Sequence, residues 1–319
     1  MRFLKMTFVT SLIALLIISC KQEQELKQQT GFVTVNGGKI WYRVTGNGSK
    51  TPVLMLHGGP SFPSHYLNPL LEIGKDRPVI TFDQLGCGRS DRITDTTLMT
   101  IDAYIENTKQ LLHHLGVKQF YLYAHSWGTM LGTDHYLKHS DGIKGLILAG
   151  PCISTKKWKE DADTLIATLP DSISLVLRNS NNGVSQDSAT LASAIEYYYG
   201  NFYYRKHPIS ADLDSSWSQM GPSVYTYMWG SSEFSSTGTL QNYDRIVDLK
   251  NISVPTLFIT GEFDAARPST VKYYQDLTPN SKLVIISGAG HFTMHDNPSE
   301  EIKAISEFLN EQDDNYRSN

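Results

Sequence analysis

The chain has 319 residues, with 28 Lys plus Arg against 32 Asp plus Glu and a formal net charge of −4. This near-balance excludes a strongly basic nucleic-acid binder and an acidic disordered tail protein. With 40% apolar and 19% charged residues the chain has the makings of a core, and three cysteines are too few for a disulfide framework.

Residues 1–19 read as a targeting segment. Arg2 and Lys5 precede an almost uninterrupted apolar run from Phe8 to Ile18, too short to span a bilayer. The run ends in Ile17-Ile18-Ser19-Cys20, which resembles the bacterial lipoprotein box. The resemblance implies cleavage before Cys20, acylation of that residue and a lipid anchor on the extracytoplasmic side of the cell envelope. Residues 20–30, rich in Gln, Glu and Lys, read as a polar tether.

Short apolar runs then alternate with helical patterns. Strands are expected at Phe32–Val35, Ile40–Val44, Val53–Leu56, Val79–Phe82, Phe120–Tyr123, Leu146–Ala149, Thr256–Thr260 and Leu283–Ile286. Several are apolar on successive residues, as parallel strands covered on both faces are. Helical spacing marks Ile101–Leu115, and further helices are expected at Thr129–His139 and Ser299–Leu309. The alternation predicts a doubly wound α/β domain built from residues 31–154 and 254–312. Residues 155–253, rich in Tyr, Trp, Ser and Asn, break it and read as a mainly helical cap inserted over the carboxyl edge of the sheet. Residues 313–319 read as a polar tail.

The chemistry lies where strands end. Ser126 in Ala124-His-Ser-Trp-Gly128 sits between a strand and a helix, the pattern of a nucleophile elbow with Ala124 at its first small position. Asp264 in Gly261-Glu-Phe-Asp264 and His291 in Gly288-Ala-Gly-His291 each follow a later strand. The order Ser, Asp, His is that of an α/β-hydrolase triad: His291 takes the proton of Ser126, and Asp264 fixes the imidazole tautomer. His57-Gly-Gly-Pro60 occupies the place of an oxyanion loop, which makes the N–H groups of Gly59 and Trp127 the expected donor pair. His125 is expected to pack, and His295 lacks a strand-end setting. No helical H-E-x-x-H spacing occurs, so neither metal nor cofactor is expected. Pairing of Cys87 with Cys152 is open at this stage.

These motifs, with Asp83-Gln-Leu-Gly-Cys-Gly-Arg-Ser90 and Trp229-Gly-Ser-Ser-Glu-Phe234, resemble the proline iminopeptidase family of α/β-hydrolase serine peptidases, especially its tricorn-interacting aminopeptidase branch. The resemblance implies a mostly parallel eight-stranded sheet with helices on both faces, and release of N-terminal residues, proline among them, from short peptides. It also implies that Glu233 and Glu262 hold the substrate's free α-ammonium group. Ser61 and Ala124 stand where the family commonly has glycine. The same triad would serve an amino-acid amidase, an esterase or a lactonase, and a non-catalytic binding lipoprotein is the remaining alternative. Oligomeric state is not legible in the sequence.

Overall fold

A computed structural model describes residues 26–234 and 236–317. The targeting segment, Cys20 and the first part of the tether lie outside the described residues.

Eight strands form one sheet: β1 (Gln29–Val35), β2 (Gly38–Thr45), β3 (Val53–Leu56), β4 (Val79–Phe82), β5 (Phe120–His125), β6 (Ile143–Ala149), β7 (Thr256–Gly261) and β8 (Ser281–Ile286). Their spatial order is β1-β2-β4-β3-β5-β6-β7-β8. The β1–β2 and β2–β4 pairs are antiparallel, and every other pair is parallel. Every residue of β3, β4 and β5 is buried, which is why these strands read as unbroken apolar runs rather than as alternations. This is the α/β-hydrolase fold, and all eight expected strands belong to it.

Helix α1 (Ile101–His114) starts where the Thr100 side chain accepts the Ala103 N–H, and its apolar stripe, including Ile105, Leu111 and Leu112, faces the core. Helix α2 (Trp127–Lys138) leaves the sheet directly from β5 and is buried along nearly its whole length. Between β6 and β7 the chain runs through α3 (Thr155–Ile166), α4 (Asp171–Asn181), α5 (Ser188–Phe202), α6 (Ala211–Ser218) and α7 (Pro222–Met228). Helices α8 (Pro268–Leu277), α9 (Thr293–Asp296) and α10 (Pro298–Arg317) complete the order.

Two expected boundaries are corrected. Residues 29 and 30 belong to β1 rather than to a tether. Residues 313–317 are the end of α10 rather than a tail, because Asp313 accepts hydrogen bonds from Arg77 Nη2 at 2.6 Å and Tyr121 OH at 3.2 Å. A carboxylate held by a buried guanidinium keeps the last turns of the helix on the sheet.

The chain order turns around β3, whose neighbours β4 and β5 follow it on opposite sides. In open α/β sheets the crevice beyond the strand ends at such a point is where ligands bind. Segment 57–60 leaves β3 there, and Ser126 leaves β5 beside it.

Candidate active site

Ser126 has φ 56° and ψ −126°, a conformation that costs a non-glycine residue about 1–3 kcal/mol. The turn is held by Ser126 N–H donating to Ala149 O at 3.0 Å and Thr129 N–H to Ser126 O at 2.8 Å. The strand-to-helix approach is tight: a Cβ on Gly128 would lie 2.5 Å from Leu56 O, so no larger residue fits there. Ala124 is fully buried at the elbow's other small position.

The structure brings the three triad candidates to one place. His291 Nδ1–H donates to Asp264 Oδ1 at 2.7 Å. The other donors to the Asp264 carboxylate are Ala266 N–H at 2.8 Å, with Gly261 N–H and Thr260 Oγ1 each at 3.2 Å. The Nδ1–H bond to Asp264 fixes the imidazole tautomer and leaves Nε2 as the nitrogen free to take a proton. His291 Nε2 is buried without a protein partner among the described residues, and both His291 and Ser126 line one cavity of ≈ 200 Å³. Room for the pair is made at Gly150 (φ +51°), where a Cβ would sit 2.6 Å from the imidazole.

Gly58 and Gly59 form another wall of that cavity. Trp127 opens α2, so its N–H has no intrahelical acceptor and points out of the helix N-terminus. Ser61 takes φ 65°, and its Oγ donates to Gly221 O at 2.7 Å while Gly221 N–H donates back to Ser61 O at 3.1 Å. The serine at a position commonly glycine thus ties the loop to the cap.

His125 packs, as expected, with its ring 4.7 Å from that of His291, and it also bridges three segments. Tyr66 OH accepts the Gly58 N–H at 2.7 Å and donates to His125 Nδ1 at 3.0 Å, and His125 Nε2–H donates to His291 O at 2.9 Å. Burial holds the His125 pKa well below the ordinary histidine value, so the ring stays neutral in this role. His295 links Ser210 of the cap, at 2.9 Å from Nδ1, to Tyr66 O, at 2.9 Å from Nε2.

Glu233 reaches the same cavity from the cap. Its Oε1 accepts from Tyr203 OH at 2.8 Å and its Oε2 from Tyr225 OH. Burial pushes the Glu233 carboxyl up despite both tyrosines. Among the described residues no Lys or Arg pairs with it. Tyr203 and Tyr225, some 30 and 8 residues away in sequence, carry no local signal that would have marked them as its partners.

Glu262 is corrected. It is exposed, is not among the residues lining the cavity, and accepts the Gly288 N–H at 2.9 Å. The turn that buries Asp264 against Gly261 N–H leaves Glu262 exposed. Cys87 and Cys152 are both free and buried, and burial pushes both thiols up. Among the described residues no group of three or more His, Cys, Asp or Glu is placed to hold a metal ion.

The family profile for the alpha/beta hydrolase fold matches residues 51–298. A proline iminopeptidase of Heyndrickxia coagulans is 36% identical over 287 residues, covering 88% of this chain and 98% of that protein. The chain belongs to the proline iminopeptidase family. A second member, from Clostridioides difficile, is 30% identical over 295 residues and is covered completely, with 90% of this chain. The crystal structure of the Mycobacterium smegmatis proline iminopeptidase superposes with a TM-score of 0.84 at 28% identity, covering 89% of this chain and 99% of that one. The family match runs through both the hydrolase core and the cap of this chain.

Proposed function

We propose that the protein is a serine aminopeptidase that releases single N-terminal residues, proline among them, from short peptides. The observation that carries this reading is Glu233: a carboxylate without a cationic partner among the described residues, in the same cavity as Ser126 and the unpartnered Nε2 of His291. A substrate ammonium group would supply that missing cation through charge-assisted hydrogen bonds.

The reaction follows from the geometry. Ser126 Oγ attacks the carbonyl carbon of the first peptide bond as its proton passes to His291 Nε2. The negative charge that develops on the carbonyl oxygen is met by the N–H groups of Gly59 and Trp127, and Asp264 stabilises the imidazolium. Collapse breaks the C–N bond, with the proton on Nε2 passing to the leaving amine. Water, deprotonated by the same nitrogen, then attacks the acyl-enzyme and frees the amino acid and Ser126. Glu233 sets the register, holding the terminal ammonium so that the first carbonyl alone reaches Ser126.

The lipoprotein box at Ile17–Cys20 supports the further reading that the enzyme is anchored through Cys20 at the envelope, where it would act on extracytoplasmic peptides. Metabolic labelling with a palmitate analogue tests the anchor: label lost in Cys20→Ala supports it, and an unlabelled parent chain refutes it. Labelling by a fluorophosphonate probe tests the nucleophile. The proposal expects labelling that disappears in Ser126→Ala, whereas folded parent protein that resists the probe would favour a binding role.

A further inference from the structure

We propose that Gln84 is a positioning residue of the oxyanion hole, its one amide group holding together the two chain segments that carry the Gly59 and Trp127 N–H donors. This rests on the serine-hydrolase part of the reading above and adds a residue that does not touch the cavity.

Gln84 is 2% exposed and lies in the loop after β4. Its backbone N–H donates to His57 Nε2 at 2.8 Å, and its side-chain Nε2 donates to His57 O at 3.0 Å. Its Oε1 accepts the indole Nε1–H of Trp127 at 2.9 Å. Because His57 Nε2 accepts, Nδ1 carries the proton and donates to Gly58 O at 2.9 Å. His57 is fully buried, and burial lowers its pKa to about 4, so the ring stays neutral in this arrangement. On one side the amide therefore fixes His57, from which Gly58 and Gly59 follow. On the other it fixes the side chain of Trp127, whose own N–H is the second donor.

The loop that delivers Gln84 is itself anchored. Burial would raise the Asp83 pKa, but Arg89, donating through Nε, Nη2 and its backbone N–H at 2.7, 3.0 and 2.9 Å, brings it down to about 2. The Arg89 guanidinium lies 3.2 Å from the centre of the Trp41 ring, and Ser90 Oγ donates to Asp83 O at 2.6 Å. The string Asp83–Ser90 is thus a rigid frame whose one side chain turned toward both donor segments is Gln84.

Only an amide of this length suits the place. It must give a proton to a carbonyl and take one from an indole, and both partners are buried where an unmet polar group is costly. Glutamate would accept from Trp127 but would set a carboxylate against His57 O. Methionine keeps the length and loses both bonds. Donors act on the transition state only when they sit about 2.7–3.1 Å from the position the oxyanion will occupy, and losing one donor costs about 10²–10³ in kcat. Loosening both by a fraction of an ångström should cost somewhat less.

The test uses the soluble chain from residue 21 with Gln84→Met, Gln84→Glu and Trp127→Phe. The readouts are kcat and KM on a prolyl anilide, affinity for an aminoacyl boronate that forms a tetrahedral adduct on Ser126, and inhibition by free proline, whose ammonium needs Glu233. Gln84→Met should lower kcat by about 10–100-fold and weaken the boronate by a similar factor, leaving KM and inhibition by proline within about threefold. Trp127→Phe takes away the indole N–H together with part of a buried ring and should move the same readouts the same way, with retained inhibition by proline separating loss of the clip from general loss of packing. The double variant should be little worse than the poorer single one, because both break one clip. A kcat within threefold of the parent in a folded Gln84→Met overturns the proposal, as does a parallel loss of proline binding, which would mean general damage. Should Gln84→Met not fold, Trp127→Phe decides alone. Should the parent ignore amine-bearing substrates, hydrolysis of a nitrophenyl ester replaces the anilide, so failure of the aminopeptidase reading and failure of the clip are seen separately.

Discussion

Replacing Asp264 by Asn is the most informative single change at the triad, because the surroundings of its carboxylate determine what must happen. Each oxygen is met by donors: His291 Nδ1–H and Ala266 N–H at Oδ1, Gly261 N–H and the Thr260 hydroxyl at Oδ2. The hydroxyl can turn fully to Ala266 O, 2.8 Å away, and so become an acceptor. An asparagine with its oxygen at the Oδ1 place would keep the imidazole tautomer but lose the negative charge. With its NH₂ group there, it would force the proton onto His291 Nε2 and leave Ser126 without a base. Loss of one unit charge from a buried site about 4 Å from the imidazolium is worth about 4 kcal/mol at an effective dielectric of about 20, a factor of about 10³ in rate. Tautomer reversal brings the expected fall in kcat to about 10⁴, the scale known for Ser-His-Asp triads. Steady-state kinetics on a free-amine anilide at pH 7.5, with thermal unfolding as the control for folding, measures it. A folded Asp264→Asn variant retaining kcat within tenfold of the parent would refute the assignment of Asp264.

Three further outcomes are expected. Glu233→Gln keeps an acceptor for one tyrosine but removes the charge, and should cost about 2–5 kcal/mol in kcat/KM on free-amine substrates, with little change on N-acetylated ones; equal losses on both would remove Glu233 from ammonium recognition. Glu301 is fully buried, with Tyr123 OH donating to its Oε1 at 2.9 Å, and burial raises its pKa to about 7 from an ordinary value near 4.5. A raised carboxyl costs nothing while protonated in both states and penalises the fold as pH climbs from the unfolded value through the folded one, so Glu301→Gln should be more stable than the parent by about 3 kcal/mol at pH 8.5. That advantage should shrink toward zero near pH 4.5 in denaturant unfolding, and a pH-independent difference would contradict it. Gly150→Ala should displace His291 and lower kcat at least tenfold with KM nearly constant; unaltered turnover would mean that the imidazole has room the distances deny.

The sheet was legible because its central strands are buried on both faces, so that apolar runs such as Val53–Leu56 and Val79–Phe82 admit one reading. The triad was legible because strand ends and small residues leave a local signature. What depended on distant partners was not. Glu262 lies two residues from Asp264, yet the turn between them buries one carboxylate and leaves the other exposed. The length of α10 depends on Asp313 meeting Arg77, 236 residues earlier, and no periodicity near residue 313 announces that pairing. Likewise, Gln84 reads as one polar residue in a turn until His57 and Trp127 are placed on either side of it. In the cap helix α5 the buried residues Ala194, Tyr198 and Phe202 keep helical spacing, but the exposed Tyr197 beside them blurs the stripe in the sequence.

The central claim is that the cavity recognises a free amino terminus before Ser126 attacks. Hydrolysis of prolyl and alanyl anilides, each with a free and an N-acetylated amine, tests it most directly, with Ser126→Ala as the blank. A site built around Glu233 should prefer the free amine by as much as about 10⁴-fold, since acetylation leaves the carboxylate buried without its cation. Equal cleavage of blocked and free substrates by the same serine would contradict the aminopeptidase account and point to an esterase or amidase chemistry on the same triad.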